Sequence, residues 1–147
     1  LGQCYGRLRE YDKAIKAYDG VLADRPGQWS AKYEGALASC AAQDFRTGRA
    51  SFRELGGAFV GNTSGVRRPA IRALARYGSG LCSFQEYERQ SNTALFDDLR
   101  DTAISEFEEF LVAIGALSRE SIPEDMRGAV AAAESDAKQK LATLKGR

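Results

Sequence analysis

The sequence predicts an all-α fold, a right-handed solenoid of about three helical hairpins closed by a C-terminal capping helix. Apolar residues recur at helical spacing along most of the 147 residues, and no strand-like alternation competes with them. A pattern of small and aromatic residues also recurs after a shift of 34 residues, which indicates a repeated helical unit. The length is enough for one domain with a sizeable core and too short for two ordinary ones.

The repeated unit is visible in residues that lie 34 positions apart. The matched pairs are Tyr11 and Phe45, Ala14 and Gly48, Tyr18 and Phe52, Val21 and Leu55, and Gly2 and Ala36. Small residues let two helices approach closely, and the aromatic residue four positions further on fills the space between one hairpin and the next. Because such a unit cannot bury its apolar face alone, the pattern favours a stack of hairpins.

Residues 1–26 carry the best-defined motif. Leu1, Gly2, Tyr5, Ala14, Tyr18 and Pro26 match the tetratricopeptide pattern L-G-x2-Y…A-x3-F…P, apart from an exchange of Tyr for Phe. The segment therefore resembles a tetratricopeptide repeat truncated at its start, and we expect the chain to be a fragment of a longer one. Residues 28–60 keep the spacing of a second repeat. They carry Ala36, Ser39, Gly48 and Val60 where the family has Gly, Tyr, Ala and Pro.

A third, irregular repeat is predicted over residues 67–116. Ala103, Phe107 and Phe110 repeat the offsets of Gly48, Phe52 and Leu55 after a shift of 55 residues. Two loops, over residues 56–69 and 82–94, are expected to absorb the surplus length.

Residues 121–147 are predicted to form the capping helix. Ser121, Pro123 and Glu124 make an N-cap and capping-box signature. One apolar stripe follows, made of Met126, Val130, Ala133, Ala137, Leu141 and Leu144. The helices predicted along the chain cover residues 1–8, 11–24, 28–42, 45–58, 67–83, 95–116 and 123–144.

Composition excludes several classes of function. The chain contains no His, which removes His-dependent triads and His-ligated metal sites. The net charge is +1, so no bulk attraction to nucleic acid or to an anionic membrane is expected. No apolar run is long enough to cross a membrane. We predict no catalytic, metal or cofactor site, and a protein that is not an enzyme.

The three cysteines, Cys4, Cys40 and Cys82, are widely spaced and include no C-x-x-C pair. An odd number at such spacing does not resemble a secreted disulfide framework or a zinc site. We expect small, buried, apolar cysteines on the first helices of the hairpins, with a redox switch as the alternative. A soluble, reducing compartment is therefore favoured over secretion.

The resemblance implies a concave groove lined by the first helix of each hairpin, where peptides or partner helices bind. The groove candidates are Gln3, Gly6, Arg7, Tyr33, Leu37, Cys40, Ser79 and Cys82. A clamp for a C-terminal carboxylate is disfavoured, because Leu37 and Cys40 stand where hydrogen-bond donors would be needed. A groove with Tyr33, Leu37 and Cys40 suits an apolar or helical ligand better.

A basic ridge is the second candidate site. Arg68, Arg72 and Arg76 recur at every fourth position of one predicted helix. The charge is net +5 over residues 1–90 and net −4 over residues 91–147. The ridge is either a contact with an acidic protein surface, a lipid headgroup or RNA phosphate, or a solvated face paired with acids such as Glu86 or Glu88.

The function that these features favour is a non-enzymatic protein–protein interaction module that scaffolds or docks a partner protein. One alternative is an accessory structural subunit of a large assembly, for example an organellar or photosynthetic one. Another is an RNA-binding helical repeat, with Tyr77 as a stacking surface beside the ridge. Near-neutral charge and the lack of a regular base-reading pattern disfavour nucleic acid.

Overall fold

The computed structural model describes residues 2–24, 29–57, 67–89 and 93–146, with side chains described at 10–21, 29–57, 67–89 and 97–146. These residues form six α-helices and no strand, which confirms the all-α prediction. The helices are α1 (Gly2–Asp24), α2 (Trp29–Ala41), α3 (Phe45–Gly56), α4 (Arg68–Arg89), α5 (Thr93–Gly115) and α6 (Glu124–Lys145). A short 3₁₀ turn, Arg119–Ser121, lies between α5 and α6.

Two predicted boundaries are wrong. The break expected between residues 8 and 11 is absent, and α1 runs continuously through it. The intervening Arg9 and Glu10 are good helix formers, so nothing local stops the helix and no hairpin forms there. The loop predicted at residues 82–94 is helical as far as Arg89, because Tyr87, only 1% exposed, continues the buried face of α4. The loop predicted at 56–69 lies mostly outside the described residues.

The helix ends show why α2 and α3 form a tight hairpin. Gln43 adopts a φ of 71°, and the N–H groups of Gln43 and Asp44 donate to the carbonyls of Cys40 and Ser39 over 3.0 and 2.9 Å. This is a left-handed helix cap of the Schellman type. The Asp44 carboxylate then accepts from the Thr47 N–H at 3.3 Å and caps the start of α3.

The capping box predicted for α6 does not form. Pro123 is the N-cap of this helix and no side chain caps its N–H groups, while the Ser121 hydroxyl pairs with that of Ser118 instead. Proline has no side-chain acceptor to offer, so the first turn relies on Glu124 and Asp125 to complement the helix dipole.

The packing order explains how the helices enclose a core. Each helix packs against the next along the chain, and α4 additionally packs against both α2 and α6. Within the described residues, α3 and α5 both rest on α4 without contacting each other. This arrangement leaves a groove between α3 and α5, with α4 as its floor.

The repeat positions of the second and third copies lie largely in this core, whereas in the first copy Tyr11, Ala14 and Tyr18 are half-buried and Val21 is 43% exposed. The six residues of the α6 stripe are all buried, as predicted. The repeated set is buried as well and comprises Gly48, Phe52, Leu55, Ala103, Phe107 and Phe110. At Gly78 the ring of Phe52 occupies the space where a Cβ would stand, so α3 and α4 approach closely there.

A disulfide joins Cys40 on α2 to Cys82 on α4. The two Cα atoms are 5.3 Å apart, within the usual range for a disulfide, and both residues are almost completely buried. Gly48 on α3 lies against the two sulfur atoms, where a side chain would overlap them. The predicted burial of these two cysteines is confirmed, and the disulfide between them was not predicted. The side chain of Cys4 lies outside the described residues.

Candidate functional site

The predicted concave groove is largely closed at the α2 positions. Tyr33 is 4% exposed and its ring packs edge-on against Phe52 with 6.1 Å between centroids. Cys40 and Cys82 are held in the disulfide, and Leu37 is half-buried against the core. These side chains therefore stabilise the fold and do not line an open groove. The candidates Gln3, Gly6 and Arg7 lie outside the residues whose side chains are described.

Tyr77 is likewise a core residue. Its ring lies 5.4 Å from that of Phe110, and its hydroxyl donates to the Asp136 carboxylate across 2.6 Å. Burial, reinforced by Asp136, raises the pKa of Tyr77 well above its ordinary value. With only 7% of its surface exposed, Tyr77 offers no stacking face for RNA, so that part of the RNA interpretation is wrong.

The three arginines of the predicted ridge have different surroundings. Arg76 forms an ion pair with Glu109 on α5, and Arg72 is exposed. Arg68 is half-buried at the start of α4. Arg76 is thus paired with an acid, as one of the two interpretations of the ridge expected, but with Glu109 and not with Glu86, which Arg49 on α3 binds.

Two arginines of the predicted ridge, Arg72 and Arg76, line the same cavity as two arginines that were not predicted. Arg49 and Arg53 on α3 face Arg72 and Arg76 on α4 across a cavity of about 480 Å³. Its remaining lining consists of Phe52, Gly56, Ala75, Ser79 and Glu106. We call this the arginine groove. Ser79, predicted as a concave-face residue, belongs to this groove instead.

Helix geometry explains which side chains line the arginine groove. Arg49 and Arg53 are one turn apart on α3, and Arg72, Arg76 and Ser79 form one stripe along α4. The spacing of Arg49 and Arg53, one turn apart beside the apolar positions of α3, was the signal available in the sequence. Only the packing of α3 on α4 shows that the arginines of the two helices lie together.

Positive and negative side chains are distributed unevenly around the arginine groove. Among the described residues, no acidic side chain pairs with Arg53 or Arg72, both of which are exposed, whereas Arg49 and Arg76 are paired at its edges. Glu106 forms part of the α5 wall. Burial and the neighbouring Glu109 raise the pKa of Glu106, and Arg76 opposes them. The groove therefore has two unneutralised cations on the α3–α4 side and a half-buried carboxyl on the α5 side.

Two further surfaces are less specific. The outer face of α5 carries a shallow depression with Ile104 and Val112, and Val112 is 73% exposed. A third depression lies between α5 and α6 beside Leu117, Ile122 and Val130. In the part of the chain that the structure describes, Cys, Asp and Glu side chains form no cluster suited to a metal ion. No helix described here is long and apolar enough to span a membrane.

Comparison with known proteins adds no assignment to this geometry. No protein-family model, no curated protein and no solved structure matches the chain. The tetratricopeptide resemblance thus rests on the residues of this sequence, and the arginine groove must be interpreted from its own chemistry.

Proposed function

We propose that this chain is a non-enzymatic protein–protein interaction module, built as a tetratricopeptide-like solenoid, that docks an acidic segment of a partner protein in the arginine groove. The alternating packing supports the architecture, since α4 contacts its neighbours α3 and α5 and also α2 and α6. The arginine groove lies between α3 and α5, the second helices of two successive hairpins, so the proposed docking surface differs from the first-helix groove that the family resemblance implies.

One observation carries the proposed binding site. Arg53 and Arg72 converge from two helices on one open cavity without an acidic partner among the described residues. An exposed surface arginine commonly stands alone, but two that line one groove, Arg53 on its α3 wall and Arg72 on its α4 floor, create a local positive potential. An acidic segment of a partner would neutralise the charges of Arg53 and Arg72 while its backbone lies along the arginine groove between α3 and α5.

Comparative affinity purification tests this proposal. The full-length protein is purified from its native source as wild type, as the double variant Arg53→Glu with Arg72→Glu, and as a control with Arg89→Glu and Arg119→Glu. The control removes the same charge from exposed positions outside the groove. We expect a partner that binds the wild type and the control but is lost from the groove variant. Equal retention by all three would contradict docking in the groove.

A structural subunit of a larger assembly is the second candidate. The observation behind it is the depression on α5, where Val112 is 73% exposed and Ile104 is half-buried, because covering these two side chains with another protein would remove apolar surface from water. Partners that remain at fixed stoichiometry through a salt wash and depend on Val112, tested as Val112→Asp, would support this function over acidic docking.

A further inference from the structure

We infer that the group bound between Arg53 and Arg72 is a phosphate carried by a side chain of the docked segment. This inference rests on the proposed docking function and specifies its ligand as a phosphorylated peptide. Two guanidinium groups supply two positive charges in the arginine groove. A phosphorylated side chain carries about 1.5 to 2 negative charges at neutral pH, whereas one carboxylate carries a single charge. One phosphate therefore neutralises both arginines at once.

The donors available in the groove also fit a phosphate. Each guanidinium presents planar N–H groups in a fork that matches two oxygens of a phosphate. Arg53 and Arg72 approach from different helices, so they can take different oxygen pairs of the same group. Half-buried Ser79, on the same stripe of α4 as Arg72, places a hydroxyl donor on the floor. Two arginine forks and a hydroxyl offer more donors than one carboxylate can accept.

Two ion pairs at the edges of the arginine groove hold Arg49 and Arg76 in place. Glu86 holds Arg49 and Glu109 holds Arg76, and each pair joins neighbouring helices. An arginine has five N–H donors, so each of these side chains keeps donors that its glutamate does not use. The paired arginines therefore border the site at fixed positions while Arg53 and Arg72 supply its free charge.

Glu106 determines the orientation in which a phosphorylated segment would bind in the arginine groove. A carboxylate repels a phosphate, so the phosphate is expected near α3 and away from the α5 wall that carries Glu106. Glu106 is then left to accept an N–H from the backbone or from a basic side chain of the same segment. The ligand expected is a phosphorylated residue followed or preceded by a hydrogen-bond donor.

Oriented peptide libraries test this inference on the full-length protein. One library has a fixed central phosphoserine, and two matched libraries have Ser or Glu at that position. The proteins are the wild type, Arg53→Gln with Arg72→Gln, and Arg89→Gln with Arg119→Gln as the control. We expect the wild type and the control to retain the phosphoserine library at least about tenfold better than the other two, since hydrogen bonds to charged groups are involved. The groove variant should lose this preference.

Two additional measurements keep the outcomes distinct. The double variant Arg53→Lys with Arg72→Lys keeps the charge and loses the forks, so weaker but detectable phosphoserine binding is expected. Thermal unfolding followed by circular dichroism checks that every variant is folded, which exposed substitutions should permit.

Four results would overturn the inference. Equal retention of the Glu and phosphoserine libraries, both dependent on Arg53 and Arg72, would leave acidic docking intact and exclude a specific phosphate site. Phosphoserine binding that survives in the groove variant would place the phosphate elsewhere. Retention of none of the libraries would exclude phosphoserine as the ligand, and docking would then be judged by the partner purification alone. Binding of a single-stranded oligouridylate through the same two arginines, with no retention of the phosphoserine library, would assign the groove to nucleic acid.

Discussion

The hydroxyl of Tyr77 on α4 donates a hydrogen bond to the carboxylate of Asp136 on α6, with 2.6 Å between Oη and Oδ2. The same carboxylate pairs with Lys140 one turn further along α6, and the Lys140 ammonium lies 5.3 Å from the centre of the Phe84 ring. This network joins the last helix to the middle of the fold through polar groups that the apolar stripe of α6 does not provide. It should therefore contribute measurably to stability.

Replacing Tyr77 by Phe should lower the free energy of unfolding by about 1–3 kcal/mol, because it leaves a partly buried carboxylate with one partner fewer. Urea unfolding measures the change. Tyr18→Phe is the matched control, since Tyr18 is half-buried on α1 and its hydroxyl has no partner among the described residues. A loss no larger for Tyr77→Phe than for Tyr18→Phe would contradict a stabilising role for the bond.

Stability should fall at alkaline pH because of Tyr33 and Tyr77. Burial raises the pKa of both phenols above the ordinary value of 10.0, with Asp136 adding to the effect. Above about pH 10 the unfolded chain releases these protons while the folded chain keeps them, so the free energy of unfolding decreases as the pH rises. Each phenol contributes up to about 1.4 kcal/mol per pH unit in that range. Below about pH 10 both phenols are protonated in the folded and the unfolded chain, so neither makes the free energy of unfolding depend on pH.

Urea unfolding between pH 8 and pH 11 measures this dependence. Tyr33→Phe and Tyr77→Phe should each flatten the alkaline slope. If the slopes of both variants equal that of the wild type, the two phenols do not titrate differently on folding.

The disulfide between Cys40 and Cys82 should be detectable by counting thiols. The chain has three cysteines, so denatured but unreduced protein should take up one equivalent of iodoacetamide and reduced protein three. The bond spans 42 residues, and a loop of that length implies about 4 kcal/mol of stabilisation through the unfolded state. Replacing both cysteines by Ala should lower the stability by roughly that amount.

In protein from the native source, peptide mass spectrometry after labelling locates the modified cysteines, and labelling of Cys40 and Cys82 without reduction would contradict the bond. Protection of both until reduction would instead favour an oxidising compartment, where disulfides persist, over the reducing one that the cysteine spacing suggests.

Two glycine substitutions should have opposite effects on stability. Gly78→Ala places a methyl group where the Phe52 ring stands, so a loss of about 1–3 kcal/mol is expected. Gly128→Ala on α6 meets no atom within 4 Å and removes a poor helix former, so a gain of up to about 1 kcal/mol is expected. Thermal unfolding of both variants measures the difference. A gain for Gly78→Ala would show that α3 and α4 do not approach closely at Gly78, whereas a loss for Gly128→Ala would contradict only the open surroundings of Gly128.

Periodicity predicted the buried faces well but not the contacts between distant helices. The α6 stripe from Met126 to Leu144 was foreseen because a single helix determines which residues share a face. The break in α1 was predicted wrongly because family spacing was favoured over local propensity at Arg9 and Glu10. The disulfide needed the packing of α2 on α4, which no local pattern encodes.

The arginine groove was only half foreseen for the same reason. Arg72 and Arg76 stood out through their spacing on one helix. Arg49 and Arg53 join them only because α3 and α5 rest on α4 without meeting, and that depends on contacts between elements far apart in sequence. The concave-face candidates Tyr33 and Cys40 were misplaced because residue spacing does not reveal which face of α2 is covered by α3 and α4.

The most direct test of acidic docking is the dissociation constant of the purified partner as a function of salt. It is measured for the full-length wild type, for Arg53→Glu with Arg72→Glu, and for the control Arg89→Glu with Arg119→Glu. The account predicts at least about tenfold weaker binding and a flatter salt dependence for the groove variant alone. Equal weakening of the two double variants would show that general charge, and not the arginine groove, governs binding.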